Sequence, residues 1–260
     1  MQKAVLITGG SSGIGFELAK IFGANNYQLI LVAKDKNKLA EAETKLKASG
    51  YSAATISKDL SDPHSSSQIY KELQSENITI DVLVNNAGFS TYGFFSEIDL
   101  DKELSELQVN IVTLTHLTKL FLRDMLHRHD GKILNVASTA AFAPGPLMAV
   151  YYASKAYVLS FSEALNSELE NTGVHVTALC PGPTDTGFAT RGGLQNSKLF
   201  QGKNMDARFV AQAAFDGLMN NQAVVIPGWK SKLMIHSLRL VPRSVVLKIV
   251  KSVQEKRQLR

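Results

Sequence analysis

The chain has 260 residues, 45% hydrophobic and 20% charged, the size and balance of one large soluble α/β unit. A single cysteine, Cys180, excludes an intramolecular disulfide, and no apolar run approaches the ~18 residues of a membrane span, so a cytoplasmic protein is expected. The net charge of +5 is uneven: residues 230–260 hold nine Lys/Arg and one Glu, leaving −3 on residues 1–229, which argues against a nucleic-acid partner for the whole.

The first element is the continuous apolar run Val5-Leu6-Ile7, a strand of the kind covered on both faces in a parallel sheet and too short for a signal-peptide core. Thr8-Gly9-Gly10-Ser11-Ser12-Gly13-Ile14-Gly15 follows, then a helical pattern through Leu18, Ala19 and Phe22. A glycine-rich turn between a strand and a helix N-terminus is a phosphate cradle, because glycine lets backbone N–H groups approach an anion that the helix dipole also attracts. The spacing is Gly-x-x-x-Gly-x-Gly rather than Gly-x-Gly-x-x-Gly, so a tight βα connection is the competing reading. Leu29 to Val32 reads as the second strand, with Ala33 and Lys34 at its end. A carboxylate there would hold the 2′-hydroxyl of NAD; neutral Ala33 and cationic Lys34 favour NADP instead, although Asp35 stands one residue further on.

Asn37 to Ser49 is a helix on Leu39, Ala42 and Leu46, stopped by Gly50. Ala53 to Ser57 is a third strand leading to Asp59-Leu60, and Asp62 is placed as the N-cap of the next helix. Ile80 to Val84 is a fourth strand, running into Asn85-Asn86-Ala87-Gly88. Residues 103–128 hold one or two helices with Val109, Val112, Leu117, Leu120, Phe121 and Met125 as core and a buried amide at Asn110. Lys132 to Val136 is strand five, ending at Ala137-Ser138 and followed by an apolar loop, Ala141 to Met148, with the look of a mobile segment. A helix from Tyr151 to about Glu170, strand six from Val174 to Leu179, a cap at Asp206 and strand seven at Val224 to Ile226 complete the series. Such alternation gives an α/β fold, a single-domain Rossmann-like doubly wound parallel sheet of about seven strands with helices on both faces. Its ligands bind at the carboxyl ends of strands. The expected organisation is a catalytic domain over residues 1–229, with a substrate lid at about 187–203, and a basic amphipathic tail over 230–260.

Tyr151 and Lys155 lie four apart on one helix, so they meet on one face while Tyr152 points elsewhere. A fixed ammonium favours the phenolate, which would make the pair a proton-transfer unit. The same spacing also occurs on ordinary helix surfaces.

With the glycine turn at 8–15, Asp59, Asn85-Asn86-Ala87-Gly88, Asn110, Ser138, Tyr151, Lys155 and Pro181-Gly182 in this order, and thirteen residues between Ser138 and Tyr151, residues 3–228 resemble the short-chain dehydrogenase/reductase family. The resemblance implies the following roles. Gly9, Ser11, Ser12, Gly13, Ile14 and Gly15 hold pyrophosphate and ribose; Asp59 and Leu60 flank adenine; Asn86, Ala87 and Gly88 line the adenosine side and brace the sheet. Tyr151 is the acid/base, Ser138 orients the carbonyl oxygen, Lys155 holds the nicotinamide ribose and lowers the Tyr151 pKa, and Asn110 holds a water in a proton relay. Pro181, Gly182, Thr184 and Thr186 contact the nicotinamide. Ala137 and Tyr152 depart from the family pattern without touching this chemistry. The runs Pro144-Gly145-Pro146 and Leu179 to Thr184 resemble a bacterial branch of poorly defined substrate, grouped with acyl-type ketone reductases.

The implied activity is NADP(H)-dependent reduction of a hydrophobic or acyl-type ketone, without a metal, in a homodimer or homotetramer. A non-catalytic NADP(H)-binding regulator and a membrane-associated scaffold are the rivals. Phe89, Phe94, Phe95, Phe142, Leu147, Met148 and Phe188 are placed at the substrate mouth, where Arg191 is the one basic residue. In the tail, Val245, Val246, Ile249, Val250 and Val253 recur at helical spacing beside Lys248 and Lys251. Packing on the body or a partner, a peripheral membrane contact and a disordered end compete there.

Overall fold

The computed structural model describes residues 2–194, 197, 202, 204–238 and 240–254. Seven parallel strands form one sheet in the order β3-β2-β1-β4-β5-β6-β7. They are β1 (Ala4–Thr8), β2 (Gln28–Ala33), β3 (Ala53–Ser57), β4 (Val82–Asn85), β5 (Gly131–Val136), β6 (Val174–Leu179) and β7 (Val224–Val225). The order reverses direction at β1, which lies between β2 and β4, so a crevice opens at the carboxyl ends there.

Alternation along each strand divides the core. Val5, Ile7, Leu29, Leu31 and Val84 pack on α1 (Gly13–Ala24), α2 (Lys36–Ala48) and α8 (Ala207–Met219) through Leu18, Phe22, Leu39, Val210 and Leu218. Leu6, Ile30, Leu83 and Ile133 pack on the opposite layer, α3 (Ser65–Ser75) and α5 (Leu114–Arg128), through Ile69, Leu73, Leu117, Phe121 and Met125. Because both faces are covered, the strands carry uninterrupted apolar runs rather than alternating ones.

The departures from expectation are local. Asp62 does not cap α3: its Oδ1 accepts from the His64 N–H in a turn, and the helix begins at Ser65. The fourth strand begins at Val82, two residues after Ile80. Residues 100–128 hold three segments, α4 (Leu100–Leu107), a π-helical turn Gln108–Thr113 and α5. The extra residue of a π turn rotates the helix face, and Val112, expected in the core, is 48% exposed. The apolar loop after β5 opens as a 3₁₀ turn, Thr139–Phe142, with Ala140 and Met148 buried. It leads into α6 (Ala149–Glu168).

Beyond β7, α9 (Trp229–Leu238) and α10 (Arg243–Gln254) return to the body. In α10, Val246 and Gln254 are buried, and Tyr92 Oη donates to the Gln254 carbonyl at 2.8 Å. Val245, Ile249 and Val253, the adjoining row, stay exposed. Of the expected lid, Phe188–Arg191 forms a short helix, α7, and Leu194 is buried; Leu199 and Phe200 lie outside the described residues. No helix among the described residues is long and apolar enough to cross a membrane.

Candidate active site

The carboxyl ends of the strands enclose one cleft of about 620 Å³, inside the ~300–1,000 Å³ range of small-ligand sites. Eighteen of the twenty residues expected at the site line it, from Gly9, Ser11, Ser12, Gly13, Ile14, Lys34, Asp59 and Leu60 at one end, past Asn86, Ala87, Gly88, Pro181, Gly182, Thr184 and Thr186, to Ser138, Tyr151 and Lys155 at the other. Gly15 and Asn110 stand behind its wall.

The glycine turn is built by backbone demands. Gly13 adopts φ +56°, a left-handed conformation that glycine takes without a Cβ penalty. At Gly15 a Cβ would lie 2.5 Å from Asn86 Nδ2 and from the Gly9 carbonyl oxygen. Asn86 occupies that space, donating from Nδ2 to the carbonyls of Thr8 (2.9 Å) and Gly9 (3.1 Å). Thr8 Oγ1 accepts from the N–H groups of Asn86 and Ala87, each at 3.0 Å. The strand ends of β1 and β4 are thus stitched together, and Thr8 is a site-forming residue that sequence reasoning missed; its place at the head of the glycine turn was the available signal. Ser12 precedes α1 without capping it through its side chain, and no acid stands in the first turn. The N–H groups there remain aimed at the cleft, so the residues present suit a pyrophosphate.

At the other end of the glycine turn, Lys34, Lys38 and Lys58 line the cleft beside Asp35 and Asp59. The Asp35 carboxylate is engaged as the N-cap of α2, accepting from Asn37 and Lys38 N–H at 3.0 and 3.1 Å. Lys34 Nζ pairs with Asp59 Oδ2 at 2.6 Å. Burial opposes the Asp59 carboxylate, yet the Lys34 ammonium and the hydroxyl and N–H of Ser61 outweigh it and hold the carboxyl below its usual range.

The opposite end, at Tyr151 and Lys155, is buried. Tyr151 projects from α6 with its hydroxyl facing Ser138, which favours the phenolate; Ser138 stands at the end of β5, where its Oγ accepts from Ala140 N–H at 3.1 Å. Lys155 Nζ lies 5.7 Å from the Tyr151 ring centroid and donates to the Val136 carbonyl at 2.7 Å. Burial pushes the Lys155 pKa down to about 8, opposed by the Glu106 carboxylate and by Cys180. Burial raises the Tyr151 phenol well above its ordinary value, and the group that works the other way is Ser138.

Asn110 is fully buried in the π turn. Its Nδ2 donates to the Phe89 carbonyl (3.0 Å) and to Ser154 Oγ (3.1 Å), and its Oδ1 accepts from Phe89 N–H (3.2 Å). Ser154 Oγ donates in turn to the Tyr151 carbonyl at 2.7 Å. The Asn110 amide therefore braces loop 86–89 against α6. Ser154 and Glu106 were both missed. Glu106 is fully buried on α4; one oxygen accepts from Thr91 N–H and Oγ1, at 2.7 and 2.9 Å, and the other has no hydrogen-bond partner. Burial, only partly offset by Thr91, pushes its carboxyl up to about 7; Glu103 adds to the rise and Lys155 opposes it. A lone glutamate on a helix carries no sequence signal of burial.

The aromatic mouth is divided. Phe89, Met148, Phe188 and Arg191 line the main cleft, Phe142 lines a second cleft, and Phe94, Phe95 and Leu147 a third. Burial pushes the Cys180 thiol up to about 12, so it is no nucleophile at neutral pH.

A protein-family model described as short chain dehydrogenase matches residues 3–196. The ketoacyl reductase HetN of Nostoc sp. is 33% identical over 180 residues, 69% of this chain and 63% of that protein; the chain thus matches less than two thirds of this relative's length. The very-long-chain 3-oxoacyl-CoA reductase of Rattus norvegicus is 33% identical over 183 residues, covering 68% and 57% respectively. Among solved structures, a short-chain dehydrogenase from Sphingobium yanoikuyae in complex with NADPH superposes with a TM-score of 0.83 at 30% identity, over 99% of this chain and 98% of that one.

Proposed function

The chain belongs to the short-chain dehydrogenase family, and from that premise we propose that it reduces a hydrophobic or acyl-type ketone to an alcohol with NADPH. The observation that carries the reading is Tyr151 facing Ser138, with Lys155 beneath the ring, at one end of a cleft whose other end is a glycine cradle. Relatives named as ketoacyl and 3-oxoacyl-CoA reductases support the substrate class.

A nicotinamide cofactor, when bound, supplies the hydride. The N–H groups of residues 12–15 and the α1 dipole would hold its pyrophosphate. The three lysines around Ala33 favour a 2′-phosphate over a bare hydroxyl, since the Asp35 carboxylate is engaged by α2. Two donors, Tyr151 Oη and Ser138 Oγ, point at the oxygen of a bound carbonyl. Both hydrogen bonds strengthen as that oxygen gains charge, and such differential binding lowers the barrier. Tyr151 then gives its proton to the alkoxide; its raised pKa keeps the proton available across the neutral range. Lys155, held by the Val136 carbonyl, places positive charge under the phenol as it ionises and would hold the cofactor ribose. The apolar walls at Phe89, Met148 and Phe188 exclude water around the reacting atoms.

The test is NADPH oxidation across a panel of 3-oxoacyl thioesters, aromatic ketones and ketosteroids. Turnover of at least one class is expected, with NADH poorer. NADPH binding without oxidation across the panel would overturn the reading and leave an NADP(H)-binding regulator.

A further inference from the structure

Beside the catalytic cleft lies a second one, of about 630 Å³, between the 141–149 loop and α10. Phe142 and Pro144 wall it on one side, Val246 and Leu247 on the other, and Arg243 is its one charged lining residue. A single side chain, Tyr152, lines both clefts. The position of its ring is set by contact, since a Cβ on Gly145 would fall 2.2 Å from Tyr152 Cγ, so only a glycine lets the ring lie there. Tyr92 Oη donates to the Gln254 carbonyl at 2.8 Å and so ties the C-terminal helix to the body beside this boundary. Past Ala149 and Leu247, which line both, the second cleft continues into a third of about 490 Å³, where Phe94 and Phe95 form the wall.

We propose that the second cleft is the binding site for the alkyl tail of a long unbranched 3-oxoacyl substrate, which crosses Tyr152 while its ketone stays between Tyr151 and Ser138. The proposal rests on the ketone-reductase reading given above and specifies its substrate. The chemistry favours an aliphatic chain on three counts. Apart from Arg243 the walls of the second cleft are carbon, so they reward desolvation and offer little to a polar ligand. The path bends from one cleft into the next, which a flexible chain follows and a fused-ring ketone does not. The volume beyond Tyr152 also exceeds what a short acyl group would fill. Each methylene buried is worth up to about 4-fold in kcat/KM.

The test is a series of N-acetylcysteamine thioesters from 3-oxobutanoyl to 3-oxododecanoyl, reduced with NADPH by the parent chain and by Ala149→Trp and Leu247→Trp. Both substitutions fill the bend from opposite walls; Ala149 and Leu247 are exposed, so folding should survive. In the parent, kcat/KM should rise at least ~100-fold along the series, well within the methylene allowance. In both variants the rise should shrink below ~10-fold while 3-oxobutanoyl turnover stays within ~2-fold. A flat parent series, or a rise that survives both tryptophans, overturns the tail site while leaving the reductase reading intact. If no member is reduced although NADPH binds, the reductase reading fails, and calorimetric binding of the 3-oxododecanoyl thioester still decides the site. Binding unweakened by both tryptophans, or no binding at all, overturns it.

Discussion

Tyr151→Phe removes one oxygen from the cleft wall and leaves the ring, with Phe188 at 5.4 Å and Tyr152 at 6.1 Å between centroids, in its place. What is lost is the proton donor to the carbonyl oxygen. General acid catalysis by a positioned group is worth roughly 10²–10⁴-fold, or about 3–5 kcal/mol of barrier, so kcat should fall at least ~100-fold. The stability change should be small. The hydroxyl's contact with Ser138 is worth no more than the about 0.5–1.5 kcal/mol of a hydrogen bond, and removing it also removes the cost of burying a hydroxyl. The phosphate cradle stands at the opposite end of the cleft, so the NADPH dissociation constant should move by less than ~3-fold. Steady-state NADPH oxidation with the best ketone of the panel reads the first quantity; NADPH fluorescence titration and urea denaturation read the others. Ser138→Ala acts on the same substrate oxygen, so the double variant should lose less than the product of the two single losses. The reasoning is refuted if kcat stays within ~10-fold of the parent, or if Tyr152→Phe costs as much.

Lys34→Asp places a carboxylate beside Asp59 at the adenosine end and should lower the NADPH-to-NADH ratio of kcat/KM at least ~10-fold; an unchanged ratio would remove Lys34 from cofactor selection. Glu106 carries a pH signature. Its folded-state carboxyl, pushed up to about 7 from 4.5, keeps a proton that the unfolded chain has lost, so its contribution to stability is complete below about 4.5 and is lost as pH rises towards 7. The loss is at most about 3 kcal/mol. In Glu106→Gln, urea midpoints measured between these pH values should be flatter than in the parent, and a parallel pair of curves would contradict the assignment. Gly15→Ala forces a Cβ to 2.5 Å from Asn86 Nδ2 and should cost about 1–3 kcal/mol while weakening NADPH binding, read by urea denaturation and fluorescence titration. Parent-like values in both would show that the turn has slack.

Much of the site was legible because its parts are local. Tyr151 and Lys155 share a helix face by spacing alone, and the polar and glycine clusters fall after apolar runs whose length marks buried parallel strands. Asp206 caps α8 through its Oδ1 as expected. Asp62 did not cap its helix: Pro63 follows it, and its side chain serves the turn that this proline begins. Ser154 and Glu106 went unread because serine and glutamate carry no pattern of their own; only the approach of α4 and α6 makes them part of the site.

The residue order by itself therefore determined the sheet, the glycine cradle and the facing Tyr–Lys pair, since each depends on backbone conformation and on neighbours close in the chain. Only the tertiary structure decided the electrostatics: that burial raises the Tyr151 phenol and lowers the Lys155 ammonium, and that Glu106 keeps a carboxyl near neutrality. It also decided which row of the amphipathic α10 meets the body, and so where the clefts beyond Tyr152 run. Desolvation and cavity shape arise from segments distant in sequence packing together, and spacing along one chain does not contain them.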